Sequence, residues 1–151
     1  HIHQAILRGK SYFDNSSTLI ERAKLIEIGL LDESCPSYQE WDTHIRLSKV
    51  ATYTTVKEEL VDYYRGGNDT ISKNVERAVS GQLYILNKFH EDFKTQVPLS
   101  FLRHCLRLYV TIREKLEMRK YTYFNKQLKL VLRNNYMIIR CLYVIRPLIG
   151  R

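Results

Sequence analysis

The sequence predicts a mostly α-helical chain with about three short strands near its start and a helical extension at its end. Three observations carry that expectation. Runs of β-branched and aromatic residues bounded by turn residues occur only before residue 65. Apolar residues recur at helical spacing from about residue 72 onward. The charge balance also changes sign along the chain: residues 1–94 hold 12 Lys/Arg against 14 Asp/Glu, whereas residues 95–151 hold 12 Lys/Arg against only Glu114 and Glu117. The change falls at Thr95-Gln96-Val97-Pro98, which marks the expected boundary between a unit over 1–94 and a basic amphipathic helical extension over 95–151.

Taken in order, residues 1–12 are too short a stretch to read. Residues 16–20 have the composition of a strand. Residues 22–28 read as a short helix with Leu25 and Ile28 inward, closed by Gly29 in the position that favours glycine. Pro36 breaks the chain, Ser37 can cap, and residues 38–49 form the next helix, with Trp41, Ile45 and Ser48 on one stripe. Residues 50–55 and 57–64 read as strands, and Gly66-Gly67-Asn68-Asp69 as a turn. Thr70 or Ser72 then caps a long helix to about Phe93, with Val75, Ala78, Val79, Gln82, Leu86 and Phe89 on one side. Gly81 inside it costs about 1 kcal/mol relative to alanine. After Pro98 come helices over 99–116, 119–133 and 134–145, with Asn134-Asn135 a candidate break between the last two.

Composition narrows the function classes. With 151 residues, 44% of them hydrophobic and 26% charged, and a mean hydropathy of −0.33, the chain suits one domain with a real core. No stretch approaches the roughly 20 apolar residues of a membrane span. Cys35, Cys105 and Cys141 are odd in number and have no metal-ligand spacing, so a reduced cytoplasmic setting is expected, with no signal peptide. His1-x-His3 is a poor metal site at an untethered terminus, and His44, His90 and His104 read as surface or satisfied histidines and not as ligands.

The stretch with most chemistry is 34–47, SCPSYQEWDTHIRL. It sets Glu40 and Asp42 in the first turn of a helix, where free N–H groups and the helix dipole favour ionised carboxylates. Such a group can serve as a general base. Equally, Ser37-x-x-Glu40 is a capping box, in which Glu40 returns a hydrogen bond to the Ser37 amide.

Together with Ser16-Ser17, GLLDE at 29–33 and VDYYRGGNDTISKN at 61–74, this stretch resembles the C-terminal, acceptor-side portion of family 2 inverting glycosyltransferases of the GT-A fold. The resemblance covers about residues 16–93 and implies an α/β parent architecture. It implies that Glu40 is the catalytic base that deprotonates an acceptor hydroxyl, supported by Asp42. It also implies that Arg65 and Ser72 meet the phosphate oxygens of the donor. Gln39-Glu40 replaces the family's Glu-Asp pair, so the base is one methylene longer and lacks an acidic neighbour. The loop after Arg65 lacks the histidine with which some members hold a metal.

By the same resemblance, the partners are a nucleotide-sugar donor and a saccharide or lipid-linked saccharide acceptor in bacterial surface polysaccharide synthesis. The cofactor is a divalent metal, Mg or Mn, whose D-x-D ligands are absent upstream of Ser16. The sequence is therefore expected to be part of a longer enzyme, its nucleotide-binding half contributed elsewhere.

Over 119–145, Lys126, Lys129, Arg133 and Arg140 fall on one stripe, with Leu128, Val131, Ile138, Leu142 and Ile145 broadly opposite. That pattern suits peripheral contact with the anionic inner face of a membrane, or simple packing with a solvated basic side. Tyrosines interleaved with Lys/Arg also fit nucleic acid, but no recognised nucleic-acid module accompanies them, and that partner ranks last. The alternative to an enzyme is therefore a non-catalytic helical module acting through residues 95–151.

Overall fold

Every regular element among the described residues is helical. The computed structural model describes residues 2–9, 15–62 and 74–149. In chain order these hold α1 (Ile2–Leu7), α2 (Arg22–Glu27), α3 (Gln39–Leu47), α4 (Val75–Lys88), α5 (His90–Gln96), α6 (Pro98–Lys115), α7 (Met118–Leu132) and α8 (Tyr136–Ile149), with a 3₁₀ turn at Arg133–Asn135 between the last two. No helix among the described residues is long and apolar enough to cross a membrane.

The expected α/β architecture is therefore corrected to a helical one. Residues 16–20 and 50–62, read as strands or parts of them, form no strand, and the described residues contain no sheet. A strand needs a neighbour about 4.8 Å away to receive its backbone bonds and a face against which to bury its side chains. Neither is supplied here: Leu19, Val56, Leu60 and Val61 stand in solvent. Tyr53 is the exception in its segment. Its hydroxyl donates to the His44 carbonyl (3.2 Å) and stands 3.1 Å from Nδ1 of the same residue. The expected turn at 66–69 and the caps Thr70 and Ser72 lie outside the described residues.

Where the helical signals were local, they formed. α2 closes through paired reverse bonds, Gly29 N–H to the Ile26 carbonyl (2.9 Å) and Leu30 N–H to the Leu25 carbonyl (2.8 Å), with Gly29 at φ +81°. α6 begins on Pro98 in its first turn, where a missing N–H costs nothing. The long helix expected through Phe93 breaks at Phe89 (φ −106°, ψ 26°) into α4 and α5, which turns Phe89, His90 and Phe93 into the interior. Asn74 caps α4 by accepting from Arg77 N–H at 3.0 Å.

One core joins both sides of the charge boundary. Ile6 and Leu7 from α1, Ile45 from α3, Ile85 and Leu86 from α4, Phe93 from α5, and Phe101, Leu108 and Ile112 from α6 are all fully buried. Leu128 and Leu132 of α7 and Ile139 of α8 close it. The unread N-terminal stretch thus supplies a short helix that packs on α3 and α5.

Gly81 owes its place to packing. A Cβ there would meet the Ser37 hydroxyl at 2.1 Å and the Ser37 carbonyl oxygen at 2.6 Å. The gain of about 1 kcal/mol in helix propensity from alanine is set against moving a backbone segment. Gly81→Ala is expected to destabilise the fold by about 2 kcal/mol net, measured as a lower urea midpoint. An unchanged or raised midpoint would mean that the 36–38 segment moves freely.

Candidate functional site

The start of α3 is built differently from its sequence signal. Ser37 donates its hydroxyl to the Arg77 carbonyl on α4 at 2.9 Å, and the Arg77 guanidinium donates back to the Pro36 carbonyl at 2.7 Å. With Ser37 committed across to α4, the helix is entered through Tyr38 in the left-handed conformation (φ 63°, ψ 36°), and no side chain caps it. The capping box therefore does not form. Glu40 is left half-buried, with no ion-pair partner among the described residues.

Glu40 instead lines a cleft of about 320 Å³. Its walls come from four helices: Ile6 at the end of α1, with Gly9 beyond it; Glu40, Trp41 and His44 on α3, with Tyr38 before it; Gln82 on α4; and His104 and Arg107 on α6. Trp41 is the centre of the wall. Its indole N–H donates to the Ile6 carbonyl at 2.9 Å, and its ring lies 5.3 Å from His104, 5.9 Å from Phe93 and 6.3 Å from Tyr38, centroid to centroid. Gln82 donates to the Tyr38 hydroxyl at 3.2 Å. His104 Nε2 stands 3.0 Å from the Leu7 carbonyl, which can only accept, so the proton sits on Nε2.

Asp42, two residues from Glu40, faces away from this cleft and is fully buried. Its Oδ2 accepts from Arg46 Nε at 2.8 Å, with Nη2 at 2.6 Å as an ion pair without a directed hydrogen bond, and its Oδ1 accepts from Lys88 at 2.6 Å. Arg46 Nη1 also donates to the carbonyls of Ile28 and Leu30, at 2.7 Å each. Lys88 bridges on to Asp32, which accepts from the Tyr84 hydroxyl at 2.6 Å. Lys88 and Tyr84 hold the Asp32 carboxyl down to about 2. The network ties the end of α2, the middle of α3 and the end of α4 together. Arg65 and Ser72, the expected phosphate contacts, lie outside the described residues.

The described carboxylates do not fit a divalent metal. Both oxygens of Asp42 are committed to cations, Asp32 is held by Lys88 and Tyr84, and Glu40 faces the cleft alone. No group of three His, Cys, Asp or Glu among the described residues could hold an ion.

Reading the sequence missed Tyr38, Gln82 and Arg107 as cleft residues. Gln82 lies on α4, and His104 follows Phe101 and precedes Leu108 at buried helical spacing, but their contacts in the cleft, Gln82 with Tyr38 and His104 with Trp41, join residues far apart in the sequence.

Burial pushes His3, His44 and His104 below the ordinary histidine value of 6.5. The unfolded chain then takes up these protons first, so the stability linked to these neutral rings is complete above 6.5 and erodes as pH falls below it. Asp32 acts lower down, its contribution present above 3.8 and lost as pH falls through about 2. The urea midpoint is expected to fall between pH 7 and 5 and again below 4. A flat profile from 7 to 5 would show these rings to be solvated.

No family model, no curated protein and no solved structure matches the chain.

Proposed function

We propose that the chain is the acceptor-side part of an inverting sugar transferase, with the cleft before α3 as the acceptor site. The observation that carries this reading is Glu40: a carboxylate in the first turn of a helix, without an ion-pair partner among the described residues, beside an aromatic wall. A volume of about 320 Å³ lies at the lower end of small-ligand pockets. A saccharide has apolar C–H faces and a ring of hydroxyls, and it finds both complements here. Trp41 and Tyr38 offer flat apolar surface with polar edges. Gln82, Glu40 and Arg107 offer hydrogen-bond partners.

In the reaction, the acceptor hydroxyl hydrogen-bonds to a Glu40 carboxylate oxygen. As the hydroxyl oxygen attacks the anomeric carbon of the donor, its proton passes to Glu40. The bond from that carbon to the nucleotide diphosphate breaks on the opposite side, with inversion, and the diphosphate departs with the electron pair. The donor is a nucleotide sugar held by residues other than those described. Residues other than those described would hold any divalent metal, which would supply charge neutralisation to the diphosphate. Asp42 acts by holding α3 in place through Arg46 and Lys88, without touching substrate.

The test uses the only tryptophan of the chain. Trp41 lines the cleft, so its fluorescence reports occupancy directly. Titration with mono- and oligosaccharides is expected to give a saturable change that an acyclic polyol at equal concentration does not produce. No change across a broad saccharide panel would remove the acceptor reading.

A further inference from the structure

α7 buries one apolar set and leaves another in solvent. Phe124, Leu128, Val131 and Leu132 pack into the core, whereas Met118 is 80% exposed, Leu130 63% and Tyr123 60%. At about 100° per residue, Met118, Tyr123 and Leu130 share an outward arc of about 140° with Arg119, Lys126 and Lys129. The first turns of α8 add Met137 and Ile138, both exposed, and Arg140. Over residues 118–151 there are eight Lys/Arg and no Asp or Glu. Of Arg119, Lys120, Lys126, Lys129, Arg133 and Arg140, only Lys120 has an ion-pair partner among the described residues, Glu76.

We propose that this outward side of α7, with the start of α8, docks on an anionic lipid surface. Both parts of the pattern are needed for that partner. Basic side chains on flexible stems draw the chain to anionic headgroups and keep their charges at the interface, while Met, Leu, Ile and Tyr side chains enter the boundary of the acyl region. A purely electrostatic nucleic-acid surface has no use for exposed Met118, Leu130, Met137 and Ile138. A second copy of the chain would bring like charges together. The proposal is independent of the cleft: Trp41 lies on another part of the molecule and reads saccharide, not vesicles.

Cosedimentation with vesicles tests it. The full chain is expected to bind phosphatidylcholine vesicles containing about one-third phosphatidylglycerol, and to bind pure phosphatidylcholine at least about tenfold more weakly. Binding should weaken as salt rises above about 0.1 M. Tyr123→Ser with Leu130→Ser, and separately Arg119→Gln with Lys126→Gln, are each expected to weaken binding about tenfold at fixed salt. All four side chains are exposed, so the circular dichroism spectrum should be retained; the melting temperature should hold in Arg119→Gln/Lys126→Gln and fall slightly in Tyr123→Ser/Leu130→Ser, because Tyr123 meets the Phe124 ring and both residues border α4. Equal binding to neutral vesicles would overturn the proposal, as would an undiminished affinity in the Tyr123→Ser/Leu130→Ser variant. So would displacement from the vesicles by an oligonucleotide at matched charge.

Discussion

Asp42→Asn is expected to lower the stability of the fold by about 3 kcal/mol, at the low end of what removing one partner of a buried ion pair costs. The wild-type carboxylate is fully buried and uses both oxygens on cations, Arg46 and Lys88. Asparagine keeps the volume but offers one oxygen and an NH2 group. One cation then faces a donor, the Arg46 guanidinium loses its carboxylate, and Lys88 is left with Asp32 alone. The loss stays at the low end because Lys88 and Arg46 are partly exposed and each keeps other partners, Asp32 for Lys88 and the Ile28 and Leu30 carbonyls for Arg46. A domain of this size has about 5–15 kcal/mol in total, so the shift in urea midpoint is large. Adding Lys88→Met to Asp42→Asn should recover part of the loss, a coupling that a double-mutant cycle measures. A single variant within about 0.5 kcal/mol of wild type would show that the network does not hold α3 in place.

That network illustrates what the sequence could and could not reveal. The Asp42–Arg46 half is legible, since an acid four residues before a base shares a helix face with it. The Lys88 half is not, because it depends on α4 returning beside α3 after 46 residues. The same division runs through the fold. α2 with its Gly29 closure, α3 after Pro36, and α6 on Pro98 were readable because their start and stop signals are local. The break at Phe89 has no glycine or proline to announce it, and α1 is too short to be helical without the partners it packs against.

The strands failed for a related reason. β-branched content describes a side-chain set that suits a pleated, half-buried surface, and without a neighbouring strand that preference is not realised. Gly81 was legible as a cost and illegible as a contact. Its reason is Ser37, 44 positions earlier, and the same Ser37 abandons the capping role that its spacing to Glu40 advertised. Long-range demand on one hydroxyl thus removes the capping-box role of Glu40 and leaves the carboxylate facing a cleft.

Glu40→Gln is expected to leave the fold intact and to abolish sugar transfer by the complete enzyme, a loss of about 10²- to 10⁴-fold in kcat if the carboxylate is the general base. Glutamine has nearly the same shape and retains one acceptor oxygen, but it cannot take the hydroxyl proton. Because Glu40 is half-buried and has no ion-pair partner among the described residues to strand, the stability should change by no more than about 0.5 kcal/mol. Saccharide titration on Trp41 should persist within a few-fold, since the aromatic wall, Gln82 and Arg107 are untouched. These three readouts separate the roles Glu40 can play. A charge that merely complements the α3 dipole contributes about 0.3–1 kcal/mol of stability and nothing to kcat. A residue that only binds acceptor raises KM and leaves kcat in place. A base lowers kcat while binding survives. Full transfer activity in Glu40→Gln would return Glu40 to the first of these roles and leave the cleft a binding site without its base.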